Sequence, residues 1–93
     1  MSQDLQERIM RAAAVLKEAG ARKVYVFGSA RGGKRREGSD IDLAVSGLPP
    51  GNFFRAMGQA HQLLGCPLDL IDLDEDTPFT RYLREEKELL LVE

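Results

Sequence analysis

Leu5, Ile9, Ala12, Ala13 and Leu16 recur at helical spacing, so the chain opens with an amphipathic helix, with Asp4 and Glu7 set as an N-terminal cap pair and Gly20 as its stop. Lys23 to Phe27 is rich in strand-forming residues and runs into Gly28-Ser29. From Asp40 to Ser46 polar and apolar positions alternate, which predicts a second strand with Ile41, Leu43 and Val45 facing a core. Gly47-Leu48-Pro49-Pro50-Gly51 then breaks the chain. Asn52 is placed to cap a second helix whose stripe is Phe53, Met57, Ala60 and Leu64, ending at Gly65. A third strand is expected over Pro67 to Leu73. The acidic turn Asp74-Glu75-Asp76-Thr77 offers a cap before Pro78, and Phe79, Tyr82 and Leu83 suggest a short helix packing back on the sheet. Leu89-Leu90-Leu91-Val92 fits either a continued helix or a last strand. Strands alternating with helices predict an α/β (α+β) fold built on a mixed β-sheet. With no repeat, low-complexity tract or linker, residues 1–93 are read as a single domain.

Charge narrows the functional classes. Thirteen Lys and Arg against fifteen Asp and Glu leave a net charge of −2, whereas a nucleic-acid binder carries at least one extended basic face. The basic cluster Arg31, Lys34, Arg35 and Arg36 is too short to track a polymer backbone and sufficient for one triphosphate. Extended nucleic-acid binding and templated synthesis are therefore not expected. Acidic residues collect in the last third, where a basic protein partner would suit them, as would plain solvation. The one cysteine, Cys66, excludes an internal disulfide and a zinc site. No apolar run approaches the roughly twenty residues needed to span a bilayer, and no charged leader precedes one, so a soluble, cytoplasmic protein with no membrane attachment is expected.

The candidate chemistry sits between Val24 and Val45. Asp40 and Asp42, two apart in a strand, project from the same face. Adjacent carboxylates repel, and a cation between them removes that repulsion. Ahead of them, the Gly28-Ser29 turn leaves backbone N–H groups free to approach phosphate oxygens. The Ser29 hydroxyl is placed for a β or γ phosphate, and Arg31, the cation nearest the turn, for the same triphosphate. Asp69 lies within the third strand and reaches the same centre if that strand pairs beside the second. Asp72, an odd number of positions away, must face the other side. A plainer reading makes Asp40-x-Asp42 a solvated strand entrance and Ser29 a turn residue; the Gly-Ser turn at its spacing and the later aspartate favour a metal-bound nucleoside triphosphate. Three carboxylates also need one open sheet face, which puts the helices mainly on the other. His61 reads as a surface or packing residue, Met10 and Met57 as core fillers, and one of the adjacent Phe53 and Phe54 as exposed at a protein contact.

Gly28-Ser29, a ten-residue spacer, Asp40-x-Asp42 and a later strand aspartate, Asp69, resemble the signature of the DNA polymerase β-type nucleotidyltransferase superfamily. At this length the chain resembles its minimal nucleotidyltransferase (MNT) branch, the antitoxin partners of HEPN-domain toxins. The resemblance implies a polymerase β palm-like fold, favours a final strand at Leu89 to Val92, and implies two Mg²⁺ ions with ATP as nucleotide donor. By analogy Asp40 and Asp42 bridge both ions, while Asp69 binds the catalytic one and helps activate the incoming hydroxyl. It further implies transfer of AMP to a tyrosine of a cognate HEPN RNase toxin within a hetero-oligomer. Two rival readings accompany it: an antitoxin that neutralises its partner by binding alone, and a transferase acting on a small molecule, for which so short a chain has little room.

Overall fold

The computed structural model describes residues 3–28, 40–86 and 88–92. Its elements run α1 (Gln3–Glu18), β1 (Lys23–Phe27), β2 (Ile41–Ser46), a 3-10 turn (Pro50–Asn52), α2 (Phe53–Leu64), β3 (Leu68–Asp72), α3 (Pro78–Glu85) and β4 (Leu90–Leu91). The expected fold class is borne out: four strands form one mixed sheet in the order β3-β2-β1-β4. β1 pairs antiparallel with β2 and with β4, and β2 pairs parallel with β3. A parallel pair needs a long crossover, which α2 supplies. Among the described residues no helix is long and apolar enough to cross a membrane.

Strand parity divides the sheet into two faces. Val24, Val26, Ile41, Leu43, Val45 and Leu70 point to one side, where they meet Leu5, Ile9, Ala12, Ala13 and Leu16 of α1 and Ala56, Ala60 and Leu64 of α2 in the main core. Ala12 and Ala60, both fully buried, let the two helices approach the sheet and each other closely. Phe27 and Ala44 point to the opposite side and form a smaller cluster with Leu73 and with Leu83 of α3. The two long helices thus cover one face, and the short third helix covers only part of the other.

Several local expectations change in the folded chain. Asp4 lies inside α1, where its carboxylate accepts a 2.5 Å bond from Arg8 one turn on, rather than capping the helix. Asn52 stands at the N-cap of α2 without a side-chain cap bond; its amide donates instead to the Ala19 carbonyl at 2.7 Å, tying the start of α2 to the end of α1. Met10 is 48% exposed, because it falls beside the buried stripe of α1 and not within it. Phe79 and Tyr82 are also about half exposed, and Leu83 and Thr80 carry the packing of α3. Thr77 and Thr80 close a capping box at the start of that helix, with Pro78 in its first turn. The tail forms a strand, with Leu91 opposite Tyr25 and Leu90 opposite Val26.

Candidate active site

Asp42 is the second residue of β2, and the strand pairing sets its neighbours on both sides. Phe27, the last residue of β1, is its antiparallel partner and Asp69 its parallel partner on β3. The β2–β3 register is held where the site begins, by the Ile41 amide donating to the Pro67 carbonyl at 2.9 Å, and beyond β3 by the Leu73 amide donating to the Val45 carbonyl at 2.8 Å. Directly paired residues project to the same face, so Asp42 and Asp69 stand side by side on the face away from α1 and α2. Asp40, just ahead of β2, shares their parity. Asp40 and Asp69 are exposed and Asp42 is half-buried.

Burial raises the Asp42 pKa above its ordinary value, and the negative charges of Asp69 and Asp40 add to the shift. Positive charge brought to this face would offset that cost of ionisation. Gly28 explains how the carboxylate fits against the end of β1. Its backbone is left-handed, at φ 72°, and a Cβ there would overlap Asp42 Oδ2 and lie 3.3 Å from Cγ. The sequence marked Gly28 for its free backbone N–H; the need for room beside Asp42 emerges only from the pairing of β1 with β2.

Asp72, expected to face the other way, does so in register with Val45, and its carboxylate accepts the Asp74 amide at 2.9 Å. Asp74 in turn accepts the Gly47 amide at 2.8 Å. These two acids therefore serve the turn after β3. His61 is exposed on α2 and Cys66 packs against the main core ahead of β3. Ser29 and Arg31, with Lys34, Arg35 and Arg36, lie outside the described residues. Among the described residues no three carboxylate, imidazole or thiolate groups gather closely enough to hold a metal ion as a set. The structure brings two of the three expected acids into direct register and places the third at the entrance to the strand. Sequence reasoning placed Phe79 in a helix packing back on the sheet and did not single out Phe27; the two rings meet edge to face at 6.0 Å on the carboxylate side of the sheet, and the aromatic closing a strand just before Gly28 was the available signal.

The polymerase beta nucleotidyltransferase family matches residues 7–93. The chain belongs to that family. A solved structure described as a minimal nucleotidyltransferase is 32% identical to this nucleotidyltransferase and superposes with a TM-score of 0.71, over 95% of each chain. A toxin-antitoxin structure with AMP-PNP also gives 0.71 at 20% identity, covering 95% of this chain and 72% of the other. A complex of a tri-AMPylated HEPN toxin with an MNT antitoxin from Shewanella oneidensis gives 0.69 at 19% identity, covering 96% and 71%. The last two likenesses are likenesses of fold. No curated protein matches the sequence.

Proposed function

We propose that this nucleotidyltransferase is a Mg²⁺-dependent protein adenylyltransferase that moves AMP from ATP to a tyrosine hydroxyl of a HEPN-domain toxin, and so acts as its antitoxin. The observation that carries the reading is the direct pairing of Asp42 with Asp69 on the sheet face opposite α1 and α2, with Gly28 making room for the Asp42 carboxylate. Family membership supplies the reaction class. The likeness to a structure containing AMP-PNP supports an adenine nucleotide, and that to an AMPylated toxin complex supports the acceptor.

The donor set suits a hard divalent cation. Carboxylate oxygens are the ligands Mg²⁺ takes together with substrate phosphates, and an acid whose pKa is raised by burial and by neighbouring carboxylates is relieved by a cation. Asp42 and Asp69, in direct register, would hold it, and by the family analogy Asp40 would join them once the ion is bound. Bound there, Mg²⁺ would supply the positive charge that stabilises the attacking and leaving oxygens of an in-line displacement. Gly28 leaves room for the Asp42 carboxylate, and Asp69, exposed at the outer strand, is the acid an incoming hydroxyl would meet first. As the new bond forms between the acceptor oxygen and the α-phosphorus, the bond from that phosphorus to the bridging oxygen breaks. Pyrophosphate leaves, and the hydroxyl proton passes to Asp69 or to solvent. By the family analogy Ser29 and Arg31 hold the triphosphate.

Intact-mass spectrometry tests the proposal directly. Incubated with ATP, Mg²⁺ and a co-encoded HEPN partner, the protein is expected to add adenylyl groups to a tyrosine of that partner. Binding of the two proteins without any adduct would leave neutralisation by occlusion as the better account.

A further inference from the structure

β3 is an edge strand. The Pro67 carbonyl and the Leu73 amide, flanking it, both bond to β2. Because backbone groups alternate sides along a strand, the N–H and C=O groups of Leu68 and Leu70 point away from the sheet, and among the described residues nothing bonds to them. A groove of about 390 Å³ lies against this strand, walled by Phe53 and Phe54 at the start of α2, by Ile71, and by Phe79 at the start of α3. Phe54 is 77% exposed and Phe79 is 46% exposed, so large apolar surface flanks unpaired main-chain groups. Asp72 and Glu75 line the same groove.

We propose that the free edge of β3 and its aromatic groove bind an extended, positively charged segment of a partner protein as an added β-strand. Unpaired main-chain groups on an edge select an extended backbone, and pockets beside them select alternate side chains. Charge selects the occupant. Residues 66–86 hold seven carboxylates and two arginines. Both arginines are engaged: Arg81 grips Asp76 through bonds of 2.6 and 2.7 Å, and Arg84 donates to the Leu73 carbonyl at 2.9 Å. The Glu75 carboxylate, by contrast, meets no partner among the described residues. Complementary charge must therefore come from the incoming chain. A second copy of this edge would instead bring Asp69, Asp72 and Glu75 against their own equivalents, which is repulsive. The inference goes beyond nucleotidyl transfer and does not depend on it. An added strand would lie about 4.8 Å from β3, in the same sheet as Asp69.

The test uses the full chain without nucleotide and, as probe, a blocked octapeptide alternating Lys and Val. Its glutamate counterpart and a form N-methylated on the amides of one edge serve as controls. Saturable binding should shift the amide NMR signals of Leu68, Leu70 and Asp72 and slow exchange at Leu70, while the glutamate and N-methylated peptides bind at least about tenfold more weakly. Phe54→Ala and Glu75→Lys alter exposed side chains and should each weaken the lysine peptide by about tenfold; Glu75→Lys should also strengthen the glutamate peptide. Equal binding of the two charge forms, shifts confined to another surface, or absence of saturation at millimolar peptide would overturn the proposal. So would protection of the same amides by self-association of the protein alone, which would assign the edge to a second copy.

Discussion

Asp42 joins stability and the proposed chemistry in one side chain. Its pKa is raised from the ordinary 3.8 by burial and then by Asp69 and Asp40, so the folded chain holds this proton more tightly than the unfolded chain. The associated stability is fully present below 3.8 and is lost as pH rises through the raised folded value. At neutral pH without metal, the ionised carboxylate is a net cost. Asp42→Asn should therefore raise the metal-free melting midpoint at pH 7 and flatten its decline above pH 4 or so, while transfer falls by about a hundredfold or more, the scale of losing one electrostatic stabiliser. Millimolar Mg²⁺ should raise the midpoint of the parent and leave that of the variant nearly still, a difference that thermal melts at several pH values would show. Asp69→Asn should abolish transfer, and Asp72→Asn should leave it close to the parent because that side chain faces the other side of the sheet. An essential Asp72 with a dispensable Asp69 would contradict the role assigned to the paired carboxylates. Gly28→Ala should cost about 1–2 kcal/mol from its left-handed backbone alone, and more from overlap with Asp42.

At the scale of elements, α3 is a short helix held mainly by its first turn. Thr80 is buried; its hydroxyl donates to the Glu75 carbonyl at 2.7 Å and accepts the Thr77 amide at 3.0 Å. Thr80→Val keeps the shape but strands both partners, with an expected loss of about 1–3 kcal/mol, and amide exchange should show α3 opening before the sheet does. The tie between α1 and α2 is more modest. Asn52→Ala removes its bond to the Ala19 carbonyl and should cost about 1 kcal/mol in chemical denaturation. Both interactions were hidden in the sequence behind a commoner meaning, since Asn before a helix reads as a cap and Thr within one reads as a weak helix former.

For the molecule as a whole, the main core couples the two long helices to the inner face of the sheet. Leu43 is fully buried at the centre of that contact. Leu43→Ala should lower stability by about 2–5 kcal/mol, against a total of about 5–15 kcal/mol for a natural domain, as measured by urea unfolding. Ala12→Leu, which forces volume between α1 and its neighbours, should cost about 1–3 kcal/mol. Losses of this size from residues far from Asp42 would separate defects of folding from defects of chemistry, because the core lies on the face of the sheet opposite the carboxylates.

Apolar periodicity, with the glycine, proline and cap signals between the runs, located α1, β1, β2, α2 and β3 to within a residue or two, because the two faces of a sheet and the inner stripe of a helix impose periods that a linear chain must carry. Parity separated Asp69 from Asp72 for the same reason. The spacing of Gly28 from Asp40 and Asp42 carried the family resemblance. What pattern could not decide was which strands meet and in what register. The parallel pairing of Asp42 with Asp69, the room that Gly28 leaves for a carboxylate fourteen positions away, the choice of a strand for Leu90–Leu91 and the exposure of Met10 and Phe54 all depend on long-range contacts. Local sequence fixes which face a side chain takes along its own element; only packing of the elements fixes what stands opposite it, since burial and pairing are properties shared between distant segments.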